Sequence, residues 1–280
     1  MKLGYCTWGM PTVPIDTIVR YVAETGYDGL EPTVTPGYST ELYAMDAAER
    51  QRILRLIEAS GLEIPAISGH ASLAERDVDT YEQNFQRLRD GVDLCVEWTL
   101  GEEPPALDMT AGGVPDDWDE VKGMLVDRVG ALVEYAAARR VVIAMAPHYR
   151  SAITRPDQML WLIHQVDSPF LKVNFDISHF VVHGYGVAEA VELMAPVIQH
   201  AHVRDARGVV PNFEFLVPGE GEIDYVVYLR ALQEHGYDKF LTAEVSLMVQ
   251  ERPNYDALAA MKQSYSVVAR AFGQAGVSRS

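Results

Sequence analysis

Apolar residues gather in short runs that recur along the whole chain: LGYC (3–6), GLEP (29–32), EIPAIS (63–68), PALDM (105–109), VVIAMA (141–146), LKVNFD (171–176), VIQHAHV (197–203) and FLTAEV (240–245). Each is short and rich in β-formers, so eight strands are expected. Between them the apolar spacing changes to threes and fours, which predicts amphipathic helices. The clearest covers residues 78–97, with Val78, Tyr81, Phe85, Leu88, Val92 and Val96 on one face. A second covers residues 121–138, with Val121, Met124, Leu125, Val129, Leu132 and Val133. Strands alternating with helices imply parallel pairing, because parallel neighbours need a crossover. The runs are apolar on both faces, as strands covered on both sides must be. Eight such units predict a single (β/α)8 TIM barrel rather than an open sheet. The fourth strand is set in the Pro/Gly/acid stretch 99–118, whose composition also fits a segment that is mostly loop.

The segments AETGYDGLEP (23–32) and QEHGYDKFLTAEV (233–245) repeat one pattern: helix, glycine, tyrosine, aspartate, strand, glutamate. Gly26 and Gly236 are placed to end the helices in the left-handed conformation. No Gly-x-Gly-x-x-Gly turn follows the first strand, so a dinucleotide site is not expected.

The 280 residues, 48% hydrophobic and 22% charged, are expected to form one domain, 1–280, with no linker. A net charge of −17 opposes attraction to nucleic acid or anionic membrane, so neither is an expected partner. Cys6 and Cys95 are too few for a disulfide framework and too far apart for a CxxC motif. The N-terminus lacks a signal-peptide pattern, and no run of eighteen apolar residues follows. A cytoplasmic protein is expected.

In a (β/α)8 barrel, functional groups come from the C-terminal ends of the strands. Here the strands lead in turn to Trp8, Glu31, His70, Asp108, His148 with Arg150, Asp176 with His179, His202 with Arg204 and Asp205, and Glu244. Asp176, His202 and Glu244 end three consecutive strands and offer two carboxylates and one imidazole, a set suited to one divalent ion such as Mn, Mg, Co or Zn. The alternative is that one carboxylate is protonated or pairs with Arg204 or Arg207. Trp8 and Tyr38 are placed either to stack on a sugar face or to pack at the rim. Glu31 either binds a hydroxyl or pairs internally, Glu220 is a candidate without a defined role, and Asp224 is placed to N-cap a helix.

The ordered segments NFDISH, HAHVRD, VPGEGEIDY and GYDKFLTAEV resemble the xylose isomerase-like TIM barrels, a superfamily of sugar (phosphate) isomerases and epimerases that includes inosose and dehydroshikimate dehydratases. The resemblance runs from about residue 2 to residue 272 and implies metal ligation by Asp176, His202 and Glu244. It implies that His179 contacts substrate beside the metal. It also has a gap: Met145-Ala146-Pro147-His148 stands where relatives carry a glutamate, so one ligand, and one of two opposed acid/base groups, is absent. Either His148 serves as ligand or base, or water or substrate fills the place, or the site is silent. An apurinic endonuclease activity is not expected, for want of further histidines and of a surface that tolerates DNA.

The implied activity is metal-dependent isomerisation or epimerisation of a sugar-like polyol or keto compound through an enediolate, with Glu244 or His148 as base. His70 and Arg204 are expected substrate contacts, with Trp8 and Glu31. A dehydratase or keto-glycoside lyase is the alternative within the superfamily. A catalytically silent barrel that binds a ligand or joins a complex is the alternative outside enzymes. A homo-oligomer, or a heteromer with a small subunit, fits the resemblance.

Overall fold

The computed structural model describes residues 1–279. Its strands are β1 (Lys2–Cys6), β2 (Gly29–Glu31), β3 (Ala66–Ser68), β4 (Ala106–Met109), β5 (Ile143–Met145), β6 (Leu171–Asp176), β7 (Ile198–Val203), β8 (Asp205–Val209), β9 (Asn212–Leu216) and β10 (Phe240–Ala243). Eight of them pair in parallel in the order β2-β1-β10-β7-β6-β5-β4-β3. Two isolated parallel bridges, Gly29 to Glu63 and Thr33 to Ser68, join the ends and close the ring. The expected (β/α)8 barrel is thus the fold, with helices packed around it.

All eight expected barrel strands are present, but several are shorter than their apolar runs. β2 stops at Glu31 and β3 starts at Ala66 because Pro32 and Pro65 have no N–H for the ladder. Pairing in β5 covers only Ile143–Met145, not 141–146, with Pro147 just beyond. The fourth strand does form, Leu107 and Asp108 pairing with Ile143 and Ala144 of β5. The helix expected at 78–97 has those bounds. Its buried face is Leu88, Gly91, Val92, Leu94 and Cys95, whereas Val78 and Val96 are exposed. The helix expected at 121–138 runs Trp118–Ala137, its first turn prepared by Pro115–Asp117.

Gly26 caps its helix in the left-handed region, at φ 101°. Gly236 lies one residue past the C-cap His235 of the helix Tyr225–Glu234, also at positive φ. Asp224 caps that helix at its other end, accepting from Val226 and Val227 N–H.

One element was not foreseen. Directly after β7, β8 and β9 form an antiparallel hairpin, Asp205 opposite Leu216. Phe213 and Phe215 of β9 meet Tyr149 edge-on at 5.3 Å, so the hairpin packs on the loop after β5. No described helix is long and apolar enough to cross a membrane.

Candidate active site

Asp176 is the last residue of β6, and its carboxylate also caps the helix Ile177–Val181, accepting from Ser178 N–H at 2.9 Å and Ser178 Oγ–H at 2.7 Å. That second duty fixes the side chain where the strand ends. His202 on β7 is in register with Asp176 on one side and with Thr242 of β10 on the other. Glu244 follows β10 immediately, its N–H bonded to Val203 O. Parallel register thus brings the three expected residues together. Their donor atoms lie within 4.8 Å of one another, and all three side chains are buried. They line a cavity of about 250 Å³ with Trp8, His70, Asp108, Ala146, His148, Asn174, His179 and Arg204 among its walls.

Buried carboxylates need compensation. Arg204 supplies it, its guanidinium contacting Asp176 through Nε at 2.7 Å and through Nη2, and reaching Glu244 at 3.4 Å. Burial by itself would raise both carboxyls; Arg204 and His202 outweigh it and hold them below the usual carboxylate range. Of the two arginines considered from sequence, Arg204 is therefore the partner. Arg207 is half-exposed and pairs with Glu214 of the hairpin instead.

Of the two places expected for Glu31, contact with a substrate hydroxyl or internal pairing, it takes the second. It is fully buried, does not line the cavity, and accepts from His200 and His202 at 2.8 and 2.9 Å. Burial pushes its carboxyl up, but the two imidazoles more than reverse this, and in return Glu31 and Glu244 raise His202 against its own burial. Glu31 is thus a partner of the cup and not a wall for substrate.

His179 lines the cavity and meets Arg204 Nη2 through Nε2 at 2.7 Å. His148 lies against it at 4.4 Å between rings and takes the Arg150 N–H on Nδ1, but belongs neither to the Asp176, His202 and Glu244 cluster nor to a second cluster of potential ligand atoms, Cys6, Glu31 and His202. Burial and the neighbouring His179 and Arg204 charges keep His148 well below the ordinary histidine range. His70 Nε2 is 3.0 Å from Ser68 Oγ and 3.7 Å from Asp108. Trp8 lines the cavity and is stacked on Tyr38 and edge-on to His70, each at 5.3 Å; Tyr38 itself stands behind it. Glu220 is apart from the cavity, paired with Arg252 at 2.8 Å.

Two buried residues were not singled out from sequence, and a third, Asp205, was named only for its place at a strand end. Asn174 lies two residues before Asp176, on the same face of β6, and its amide donates to Asp108 at 2.7 Å. His200 stands in the same relation to His202. Asp205 holds the loop 217–223 by accepting from Gly219 and Ile223 N–H. Period-two alternation was the available signal for the first two.

The donor set fits a divalent cation. Asp176, His202 and Glu244 would supply three ligands, and the alanine at 146 leaves cavity volume beside them for water or substrate oxygens. A cation there would compete with Arg204 for the two carboxylates.

The family model described as xylose isomerase-like TIM barrel matches residues 19–265. A fructoselysine 3-epimerase from Shigella flexneri is 21% identical over 277 residues, covering 94% of this chain and 96% of the relative. A 3-dehydroshikimate dehydratase from Bacillus anthracis is 23% identical over 210 residues, covering 73% and 72%. Among solved structures, the IOLI protein with a zinc atom superposes with a TM-score of 0.80 at 18% identity, covering 98% of this chain and 99% of that one.

Proposed function

Because the chain belongs to the xylose isomerase-like TIM barrels, we propose that it enolises a carbohydrate-like polyol or keto compound, as a divalent-metal-dependent isomerase or epimerase. The observation that carries this reading is the convergence of Asp176, His202 and Glu244 on one buried cup at the end of a cavity sized for a small polyol. A bound cation, Mn, Mg, Co or Zn, would acidify the C–H between two oxygens and stabilise the enediolate.

Glu244 is the base in this reading. Arg204 and His202 keep it ionised, so it can accept the proton from carbon. His179 and Arg204 would hold substrate oxygens, since both line the cavity and orient one another. Trp8 offers an apolar wall for a sugar C–H face, braced by Tyr38, and His70 offers a rim donor. His148, neutral and outside the ligand clusters, acts here as a substrate contact or relay base instead of a ligand. A small-molecule substrate, no nucleic acid and a reducing, cytoplasmic setting complete the reading, the last resting on two buried free cysteines.

A second reading, dehydration or another elimination, is favoured by Ala146, because elimination needs only one base at carbon. The dehydratase relative supports it.

Two measurements test the proposal. Metal analysis of protein purified without chelator should find near-stoichiometric divalent ion in the wild type and none in Asp176→Ala or His202→Ala. Incubation with D-fructose, D-tagatose, D-psicose and scyllo-inosose in D2O should show deuterium entering a carbon next to the carbonyl. Metal-free protein with no exchange on any of the four would leave a silent ligand-binding barrel as the answer.

A further inference from the structure

We propose that Asp108 is a second acid/base of this site, delivering a proton to the face of the substrate remote from Glu244. The inference rests on the enolising site proposed above and addresses the group that Ala146 does not provide.

Position comes first. Around the closed ring, the walk from β10 passes β7, β6 and β5 and reaches β4 on the fourth of eight steps. Asp108 on β4 and Glu244 at the end of β10 therefore belong to diametrically opposed strands, and both line the same cavity. A two-sided proton exchange needs this arrangement, since the carbon is deprotonated on one face and reprotonated on the other. β5, which carries Ala146, is the strand next to β4, and Asp108 is in register with Ala144 there. The carboxylate missing from β5 thus has a counterpart one strand away.

Local chemistry is the second observation. Asp108 is 1% exposed, yet among the described residues no arginine or lysine pairs with it. Its Oδ1 accepts from Asn174 Nδ2 at 2.7 Å and its Oδ2 lies 3.7 Å from His70 Nε2. Burial raises this carboxyl, whereas Asp176 and Glu244 each face the Arg204 guanidinium. Asn174 Oδ1 and His70 Nδ1 are buried atoms without partners, and both residues line the cavity, so hydroxyls of a polyol would complete them.

In the proposed step the C–H bond breaks, its proton goes to Glu244 and its electron pair moves into the C–C–O enediolate. The Asp108 O–H bond then breaks and a C–H bond forms on the opposite face as the carbonyl is restored. Exchange of both carboxyls with solvent resets the protons.

The test is Asp108→Asn, which keeps the size and can still accept from Asn174. With whichever of the four probe compounds the wild type exchanges in D2O, the variant should retain exchange at the Glu244 face. It should lose formation of the epimer by about 10²-fold or more, the usual share of a general acid. Difference infrared spectra of wild type against Asp108→Asn, without substrate, should contain the C=O stretch of a protonated carboxyl that persists above the pH at which an ordinary aspartic acid ionises. Epimer formed at the wild-type rate, an ionised Asp108 in that spectrum, loss of bound metal in the variant, or water elimination as the wild-type reaction would each overturn the assignment while leaving the enolising site intact. No exchange by the wild type on any probe would remove both.

Discussion

Replacing Arg204 by methionine gives a direct measure of how the cup is held together. Methionine keeps an unbranched apolar stem and removes the charge together with the guanidinium, which lies 4.6 Å from the Phe215 ring centroid. Asp176 and Glu244, both buried, then lose the one arginine that pairs with them among the described residues. Breaking a buried pair from one side costs about 3–5 kcal/mol, because the remaining charge is uncompensated. An unfolding entropy of about 2.1 cal/mol/K per residue over 280 residues is about 0.6 kcal/mol/K, so the Tm in EDTA should fall by about 5–8 °C. The cup of the variant, freed of its internal cation, should bind a divalent ion more tightly than wild type. Metal at a hundred times its Kd would return about 2.7 kcal/mol, or 4–5 °C. Scanning calorimetry of both proteins in EDTA and in graded Mn²⁺ reads both effects. A variant within 1 °C of wild type in EDTA, or one with no larger response to Mn²⁺, would refute the view that Arg204 occupies the electrostatic place of the metal.

Two further outcomes follow from other parts of the structure. In Gly221→Ala the new Cβ would stand 2.3 Å from Asp205 Oδ1 and 2.5 Å from Ala206 O, so the loop 217–223 must shift; a loss of about 1–3 kcal/mol in urea unfolding is expected, and an unchanged midpoint would contradict the tight fit. Cys6 and Cys95 are both buried with thiols pushed up by burial, so a thiol-specific reagent should find neither in the native protein and both in denaturant.

The barrel was legible because its signal is repeated eight times: an apolar run, a turn residue and a helical period recur, and no single misread boundary changes the topology. The trimmed strand ends record local chemistry, as prolines at 32 and 65 remove ladder donors that hydrophobicity does not register. The hairpin 205–216 was illegible for the opposite reason. DARGVVPNFEFL mixes charge, glycine and aromatics without clean alternation, and its strands are fixed by Phe213 and Phe215 packing on Tyr149, a contact between segments more than sixty residues apart. Choosing between Arg204 and Arg207 was within reach. Along an extended β7, residues 202 and 204 share a face, so Arg204 accompanies His202 into the cup. The same rule pairs His200 with His202 on Glu31, and Asn174 with Asp176.

The function of Asp108 was hidden for a subtler reason, which lies in the charge balance of the whole barrel mouth. Four buried carboxyls meet there. Glu31 is answered by two imidazoles at 2.8 and 2.9 Å, and Asp176 by Arg204 and a serine. Glu244 has only contacts at 3.4 Å, to His202 and Arg204, and Asp108 has one amide and a histidine at 3.7 Å. Glu31 and Asp176 are held by short charged contacts, although Glu31 uses Oε2 alone for both imidazoles and its Oε1 has no partner among the described residues; a carboxylate so held has little freedom to take or give a proton. The two under-answered groups are on opposed strands and line the same cavity, where substrate would supply what the protein withholds. This contrast between held and available carboxyls separates acid/base candidates from structural ones, and strand-end position in the sequence does not distinguish them, since all four occupy equivalent places there.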